Sequence, residues 1–181
     1  MELTRLFKER RSVRSYDPRP VEREKLEELA EAFRLAPSAC NSQPWRIIFV
    51  EESALKDEVA RATFSGAINF NRFAVGAPVL AVLVIEQPRL TAKIGAVVKS
   101  RDLPLLDVGI AASQFVLRAC ELGLGTCMLG WFDERKIRTL LGIPRGKRLA
   151  LVITIGYPAV NVAVREKERK PLDEVRSYNR Y

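Results

Sequence analysis

Apolar residues recur along this chain with two different periods, and the alternation predicts helices interleaved with strands. Leu3, Leu6 and Phe7 fall at i, i+3 and i+4, so a short amphipathic helix is expected over Glu2–Glu9. A longer helix is expected over Val21–Leu35, where Leu26, Leu29, Ala30 and Phe33 form one stripe and Pro37 closes it. The stretch between them, RRSVRSYDPRP, carries Pro18 and Pro20 as breakers and reads as extended. Trp45–Val50 and the β-branched run Ala77–Ile85 read as strands, the second of them buried. Ser53 can cap a helix through about Thr63. Val108–Leu122 is apolar on nearly every side, which predicts the central buried helix, with Asp107 as its cap and Gly123 and Gly125 at its end. A short strand follows over Thr126–Leu129, then a helix Glu134–Leu141 capped by Asp133 and stopped by Gly142. Leu149–Tyr157 reads as a strand in the middle of a sheet. Lys93–Leu106 has no clear period, and the tail beyond it all is polar, basic and poor in apolar residues. A tail without a core of its own orders by packing on something else, which suggests a partner subunit.

Composition narrows the function. At 181 residues the chain is expected to be one domain. The longest apolar runs, Ala74–Ile85 and Leu149–Ile155, fall short of the ~18 residues of a membrane span. The opening MELTRLFKERRS has acids and no apolar stretch of a secretory signal, so a cytoplasmic protein is expected. There is no histidine, which removes Ser-His and Cys-His catalysis and every His-containing metal site. The three cysteines, Cys40, Cys120 and Cys127, form no C-x-x-C pair. Chemistry in such a chain calls for a bound cofactor. The net charge of +8 comes largely from two clusters, Lys8, Arg10, Arg11 and Arg14 near the start and Arg165, Lys167, Arg169 and Lys170 near the end. A nucleic-acid surface would interleave aromatics with these cations. Apart from Tyr16 the clusters lack them, which favours a site for a small anion.

In an extended segment residues i, i+2 and i+4 share a face, so Arg10, Ser12 and Arg14 point together. Two guanidinium forks around a hydroxyl suit a phosphate, although a solvated charge run has the same spacing. The loop APSACNSQPW, residues 36–45, offers Ser38, Asn41, Ser42 and Gln43, a donor-and-acceptor mix that fits the polar edge of a heteroaromatic ring or an ordinary Asx turn. Cys40 has no local base and reads as an inert thiol. Trp131 and Phe132 could line a cleft, but a pair at a strand end reads first as core; Met128 and Cys127 read as packing, and ELGLGT as a helix cap and turn, since it follows a helix.

Taken together, these segments resemble the FMN-dependent nitroreductase family of flavin oxidoreductases. The resemblance is carried by RRSVRSYDPRPV at 10–21, LAPSACNSQPWRIIFV at 35–50, FNRFAVGAPVLAVLV at 70–84, the long segment DVGIAASQFVLRACELGLGTCMLGWFDERKIRTLLGIP at 107–144, LVITIGYP at 151–158 and KERKPLDEV at 167–175. It implies an α+β fold with a central, mostly antiparallel sheet flanked by helices. It implies a single domain over 1–181, a homodimer with FMN at the subunit interface, and an extension over 159–181 that packs on the partner subunit. Arg10, Ser12 and Arg14, with Arg11 among them, match the N-terminal FMN contacts. Arg10 and Ser12 would face phosphate and ribityl oxygens, and Arg14 the pyrimidine edge. Pro37, Ser38, Ala39 and Asn41 match a loop that reaches the flavin of the other subunit. Asn71 matches an asparagine that hydrogen-bonds the ring edge, and Leu129 and Gly130 match a strand end whose amides approach flavin N5. Lys167 and Arg169 match tail cations that close over the phosphate.

The implied activity is hydride transfer from NADH or NADPH, through the flavin, to a nitroaromatic, quinone or similar small acceptor, by a ping-pong mechanism. No metal, nucleic acid or membrane is implied. Two departures stand out. Leu129 occupies a position that is acidic in longer family members, where only a backbone amide is needed. Gln87–Leu106 is short and carries no aromatic lid, which leaves open a specialised flavin-fragmenting or dehalogenating activity. A basic nucleic-acid-binding module is the alternative from another class.

Overall fold

The computed structural model of the chain describes residues 2–66, 68–87, 102–160, 162 and 166–181. Four strands form one antiparallel sheet: β1 (Trp45–Val50), β2 (Val79–Ile85), β3 (Gly125–Leu129) and β4 (Arg148–Gly156). Their order is β1-β2-β4-β3, so β2 and β4 are central, as the unbroken apolar runs require. Every residue of β2 is buried because each of its faces meets a different core. Val79, Ala81, Leu83 and Ile85 face one core, and Leu80, Val82 and Val84 the other.

The first core packs the sheet against α2 (Arg23–Arg34) and α4 (Leu103–Glu121). Leu26, Leu29 and Phe33 of α2 meet Ala111, Ala112 and Phe115 of α4, and the rings of Phe33 and Phe115 cross edge to face at 6.4 Å. By length and composition α4 could cross a membrane; in this fold its inner face lies in the core. The second core packs the other sheet face against α3 (Ser53–Arg61) and α5 (Glu134–Leu140). Among the described residues the other α-helices are α1 (Leu3–Glu9) and a short α6 (Leu172–Val175) in the tail. Asp133 caps α5 as its sequence predicts, accepting from the Lys136 amide at 2.9 Å.

Two boundaries move. The central helix begins at Leu103, capped by the Asp102 carboxylate on Leu105 N, so the expected cap Asp107 lies inside the helix. Leu103 and Pro104 supply a first turn that the aperiodic sequence concealed. Ser53 opens α3 without a side-chain cap; Glu52 holds the N-cap position.

The tail meets its expectation of having no core. Among its described residues 166–181 none is buried, and Leu172, Val175 and Tyr178 are exposed.

Candidate functional site

The segment after α1 runs along the free edge of β3. Ser12 bridges Thr126 in parallel, and the Val13 amide donates to the Thr126 carbonyl at 2.9 Å. The segment then crosses to the end of β4, where Asp17 N donates to Tyr157 O and Ala159 N to Ser15 O. Such an approach needs a missing side chain on the sheet. A Cβ on Gly125 would lie 2.6 Å from Val13 Cγ2, and one on Gly156, its cross-strand partner, 2.9 Å from Tyr16 Cδ1. Tyr16 locks the crossing: its hydroxyl donates to Val13 O at 2.7 Å and lies 2.5 Å from Thr154 Oγ1. Burial pushes the Tyr16 phenol far above its usual range, so it is a neutral brace.

The alternation of the segment follows the predicted face. Val13 is buried while Ser12 and Arg14 are exposed on the other side. Burial raises the Cys127 thiol against the pull of the Arg14 charge and of the Ser12 hydroxyl. The Arg14 guanidinium also stands 5.9 Å from the centre of the Phe73 ring.

The tail returns to this segment. A cavity of about 410 Å³ is lined by Arg10, Arg11, Ser12 and Arg14 from one end of the chain and by Lys167 and Arg169 from the other. Pro158, Ala159 and Val162 supply apolar lining, and no carboxylate among the described residues lines it. None of its five cations pairs with a carboxylate among the described residues. Lys167 Nζ donates to the Phe7 and Lys8 carbonyls at 2.8 and 2.6 Å, closing the C-terminal turn of α1 and anchoring the tail there. Desolvation, and then the charges of Arg10 and Arg169, holds Lys167 below its ordinary pKa. A groove of self-repelling cations has the donor set for a phosphate, and its volume lies in the ~300–1,000 Å³ range of small-molecule sites.

The other singled-out residues lie elsewhere on the chain. Pro37, Ser38, Ala39 and Asn41 sit in the loop between α2 and β1 and do not line this cavity. Asn71 is buried, with its amide nitrogen donating to Thr63 O and Trp131 O at 3.1 and 3.2 Å. Leu129 is buried at the end of β3, and Gly130 follows with no atom near where a Cβ would be. Cys40 is exposed and Cys127 buried, as expected.

Trp131 and Met128 correct the sequence reading. Both were expected to pack, yet they are 51% and 44% exposed. Met128 points away from the core that takes Cys127 and Leu129, on an edge strand beside the 12–16 segment. Trp131 lies beyond the strand, and of the aromatic pair only Phe132 packs inward. Sequence reasoning also missed Tyr16, Thr154 and Gly125 as supports of the groove. Only the lone aromatic in a run of charges signalled Tyr16.

Comparison with known proteins gives this arrangement a family. The chain matches the Nitroreductase family over residues 7–157. It belongs to that family, and it is an oxidoreductase of the nitroreductase type. An Archaeoglobus fulgidus protein with the provisional name NADH dehydrogenase/NAD(P)H nitroreductase is 32% identical over 161 residues, 87% of this chain and 86% of that one. The 5,6-dimethylbenzimidazole synthase of Rhodobacter capsulatus is 29% identical over 175 residues, 86% of this chain and 83% of its own. The iodotyrosine deiodinase of Thermotoga neapolitana is 28% identical, over 84% of this chain and 87% of its own. Among solved structures, the Nitroreductase Family Protein of Streptococcus pneumoniae TIGR4 superposes with a TM-score of 0.81 at 25% identity, covering 97% and 99% of the two chains. An FMN-dependent nitroreductase of Clostridium difficile R20291 superposes with a TM-score of 0.79 at 25% identity, covering 97% and 98%. The nitroreductase fold expected from the sequence is therefore the fold of this chain.

Proposed function

We propose that the groove binds FMN and that the chain, as a homodimer, uses NADH or NADPH to reduce nitroaromatic, quinone or similar acceptors. One observation carries the reading: cations from both ends of the chain line one cavity in which no described residue supplies a carboxylate. Arg10, Ser12, Lys167 and Arg169 would hold the phosphate and ribityl oxygens, with Arg11 beside them. Arg14, held over Phe73, would set a positive charge at the pyrimidine edge. Ser38, Ala39 and Asn41 would reach the flavin of the partner subunit, with Pro37 fixing the loop. Asn71, Leu129 and Gly130 would border the ring. FMN, when bound, supplies the hydride-accepting and electron-donating chemistry, so the chain needs no acid–base side chain and can lack histidine.

The deciding experiment is a purified preparation titrated with FMN and riboflavin, then reduced by NADH and NADPH in stopped flow and reoxidised with a panel of acceptors. A flavin spectrum, a strong preference for FMN and reduction by a nicotinamide nucleotide are expected. A colourless protein that takes up neither flavin overturns the reading. Similarity to a benzimidazole synthase and to a deiodinase gives a second reading, in which the flavin serves a specialised reaction. That reading predicts slow reoxidation by the whole nitroaromatic and quinone panel. The tail supplies a separate test of assembly. Truncation after Tyr157 is expected to weaken both dimerisation and FMN retention, measured by light scattering and flavin release. A truncated chain that stays a yellow dimer removes the tail from the interface.

A further inference from the structure

Asp107 is a buried carboxylate to which the groove gives no role. It lies one turn inside α4 with 6% of its surface exposed, next to Val108 and Ala111, which are fully buried. A carboxylate in such surroundings needs a hydrogen bond to replace its lost water. Its own helix does not take it as a cap, because Asp102 already fills that position. Asp107 Oδ1 instead accepts from the backbone amide of Ala39 at 3.1 Å, across 68 residues of sequence.

Ala39 opens a short 3₁₀ turn, Ala39–Asn41, in the loop between α2 and β1. Ser38 stands at its N-cap position but makes no side-chain cap bond; its hydroxyl accepts from Gln43 N at 2.9 Å instead. Asp107 thus caps the turn from another element. The loop needs that support. Cys40, Asn41 and Gln43 have φ of 52°, 49° and 48°, a left-handed conformation disfavoured for residues with a Cβ. The bonds among Ser38, Asn41 and Gln43 are internal to the loop, whereas the bond to Asp107 ties it to the central helix.

We infer that Asp107 is a positioning residue whose carboxylate holds the 38–43 loop in the left-handed form that presents Ser38, Ala39 and Asn41 to the flavin ring. This deepens the function proposed above and rests on its assignment of the loop to FMN. An amide oxygen can accept the same bond, and an apolar side chain cannot.

The test compares wild type, Asp107→Asn and Asp107→Leu. Affinities for FMN and riboflavin are read by flavin fluorescence, and loop order by hydrogen–deuterium exchange over 38–43. Asp107→Asn is expected to stay within about threefold of wild type for both flavins. Asp107→Leu is expected to weaken both by about tenfold or more, with their ratio unchanged, and to speed exchange over 38–43. An unchanged ratio separates a ring-side loop from a phosphate ligand. If the leucine variant does not fold, Ala39→Pro deletes the donor instead. Ser38, at φ −147° and ψ 156°, already has the conformation that precedes proline, and the first position of a helical turn tolerates it. The same joint loss is expected. Wild-type flavin affinity in the leucine or proline variant, or an asparagine variant as weak as leucine, overturns the inference. A wild type that binds neither flavin sinks the proposed function instead, and the exchange rates then decide alone whether Asp107 holds the loop.

Discussion

Outside the groove, on the helices and beside the sheet, cations stand beside carboxylates. Arg34 forks onto Glu31 in α2, Arg118 of α4 bridges Glu28 and Glu121, Arg138 of α5 meets Glu134, and Lys147 meets Glu86. In the groove, Arg10, Arg11, Arg14, Lys167 and Arg169 gather without a carboxylate among the described residues. Both regions are rich in arginine, so composition does not separate them; pairing does. Cations paired with carboxylates stabilise a surface weakly and are screened by salt. Cations crowded without carboxylates repel one another, and at Lys167 the charges of Arg10 and Arg169 add to desolvation, the larger cause, in lowering its pKa. A fold that holds them together gains from a dianion that joins them.

The largest effect expected from breaking this contrast is on FMN affinity. Arg10→Ala should weaken FMN by about 1.5–3 kcal/mol, the scale of a charge-assisted hydrogen bond, and leave riboflavin unchanged. Parallel calorimetric titrations with the two flavins measure this. Equal losses for both would move Arg10 off the phosphate.

Gly125→Ala attacks the frame beneath the groove. The new Cβ would lie within 3 Å of three Val13 atoms, and a branched side chain packed on the sheet cannot swing aside. A loss of about 1–3 kcal/mol in unfolding free energy is expected from overpacking. Chemical denaturation of the apoprotein checks it, and an unchanged midpoint would show that the 12–16 segment is free to lift from β3.

Arg14→Gln keeps hydrogen-bonding capacity and removes the charge that lies over Phe73. A fixed cation at the pyrimidine edge favours the more negative, reduced flavin, so its loss should lower the two-electron midpoint by tens of millivolts. About 30 mV corresponds to ~1.4 kcal/mol for such a couple. That size is within reach of one partly screened charge. Spectroelectrochemical titration decides it; an unchanged or raised midpoint would assign Arg14 to the surface or to the phosphate.

How much of this was legible in the sequence depends on the range of the interaction. Local patterns placed all four strands, because a run buried on both faces reads as continuous and a capped amphipathic helix reads as periodic. The face shared by Ser12 and Arg14 followed from the two-residue repeat alone. The union of residues 10–14 with 167 and 169 did not follow from any period; only the family resemblance carried it. Asp107 and Asp102 show the same limit. Either could cap one helix by sequence; Asp102 takes that position, and Asp107 accepts instead from Ala39, which is distant in sequence and close in space. Trp131 was misread because an apolar residue at a strand end does not reveal whether the fold covers it.

The smallest effect belongs to the paired cations, and it sharpens the contrast most. Arg34→Ala removes the same charge as Arg10→Ala from the same net balance. Its guanidinium donates to both Glu31 oxygens at 2.7 Å on the exposed face of α2. Solvent screens such a pair, so the unfolding midpoint should barely move. The small contribution that exists has a defined pH sign. The hydrogen bond from Arg34 holds the Glu31 carboxyl below its ordinary range. A carboxylate depressed on folding adds stability above its unfolded pKa and loses it as the pH falls through the folded value. Any difference between Arg34→Ala and wild type should therefore be present at neutral pH and vanish in acid, where Glu31 is protonated in both. FMN affinity should not change at all. If Arg34→Ala weakened FMN as much as Arg10→Ala, affinity would follow the total charge of the chain, and the unpaired groove would lose its claim to the phosphate.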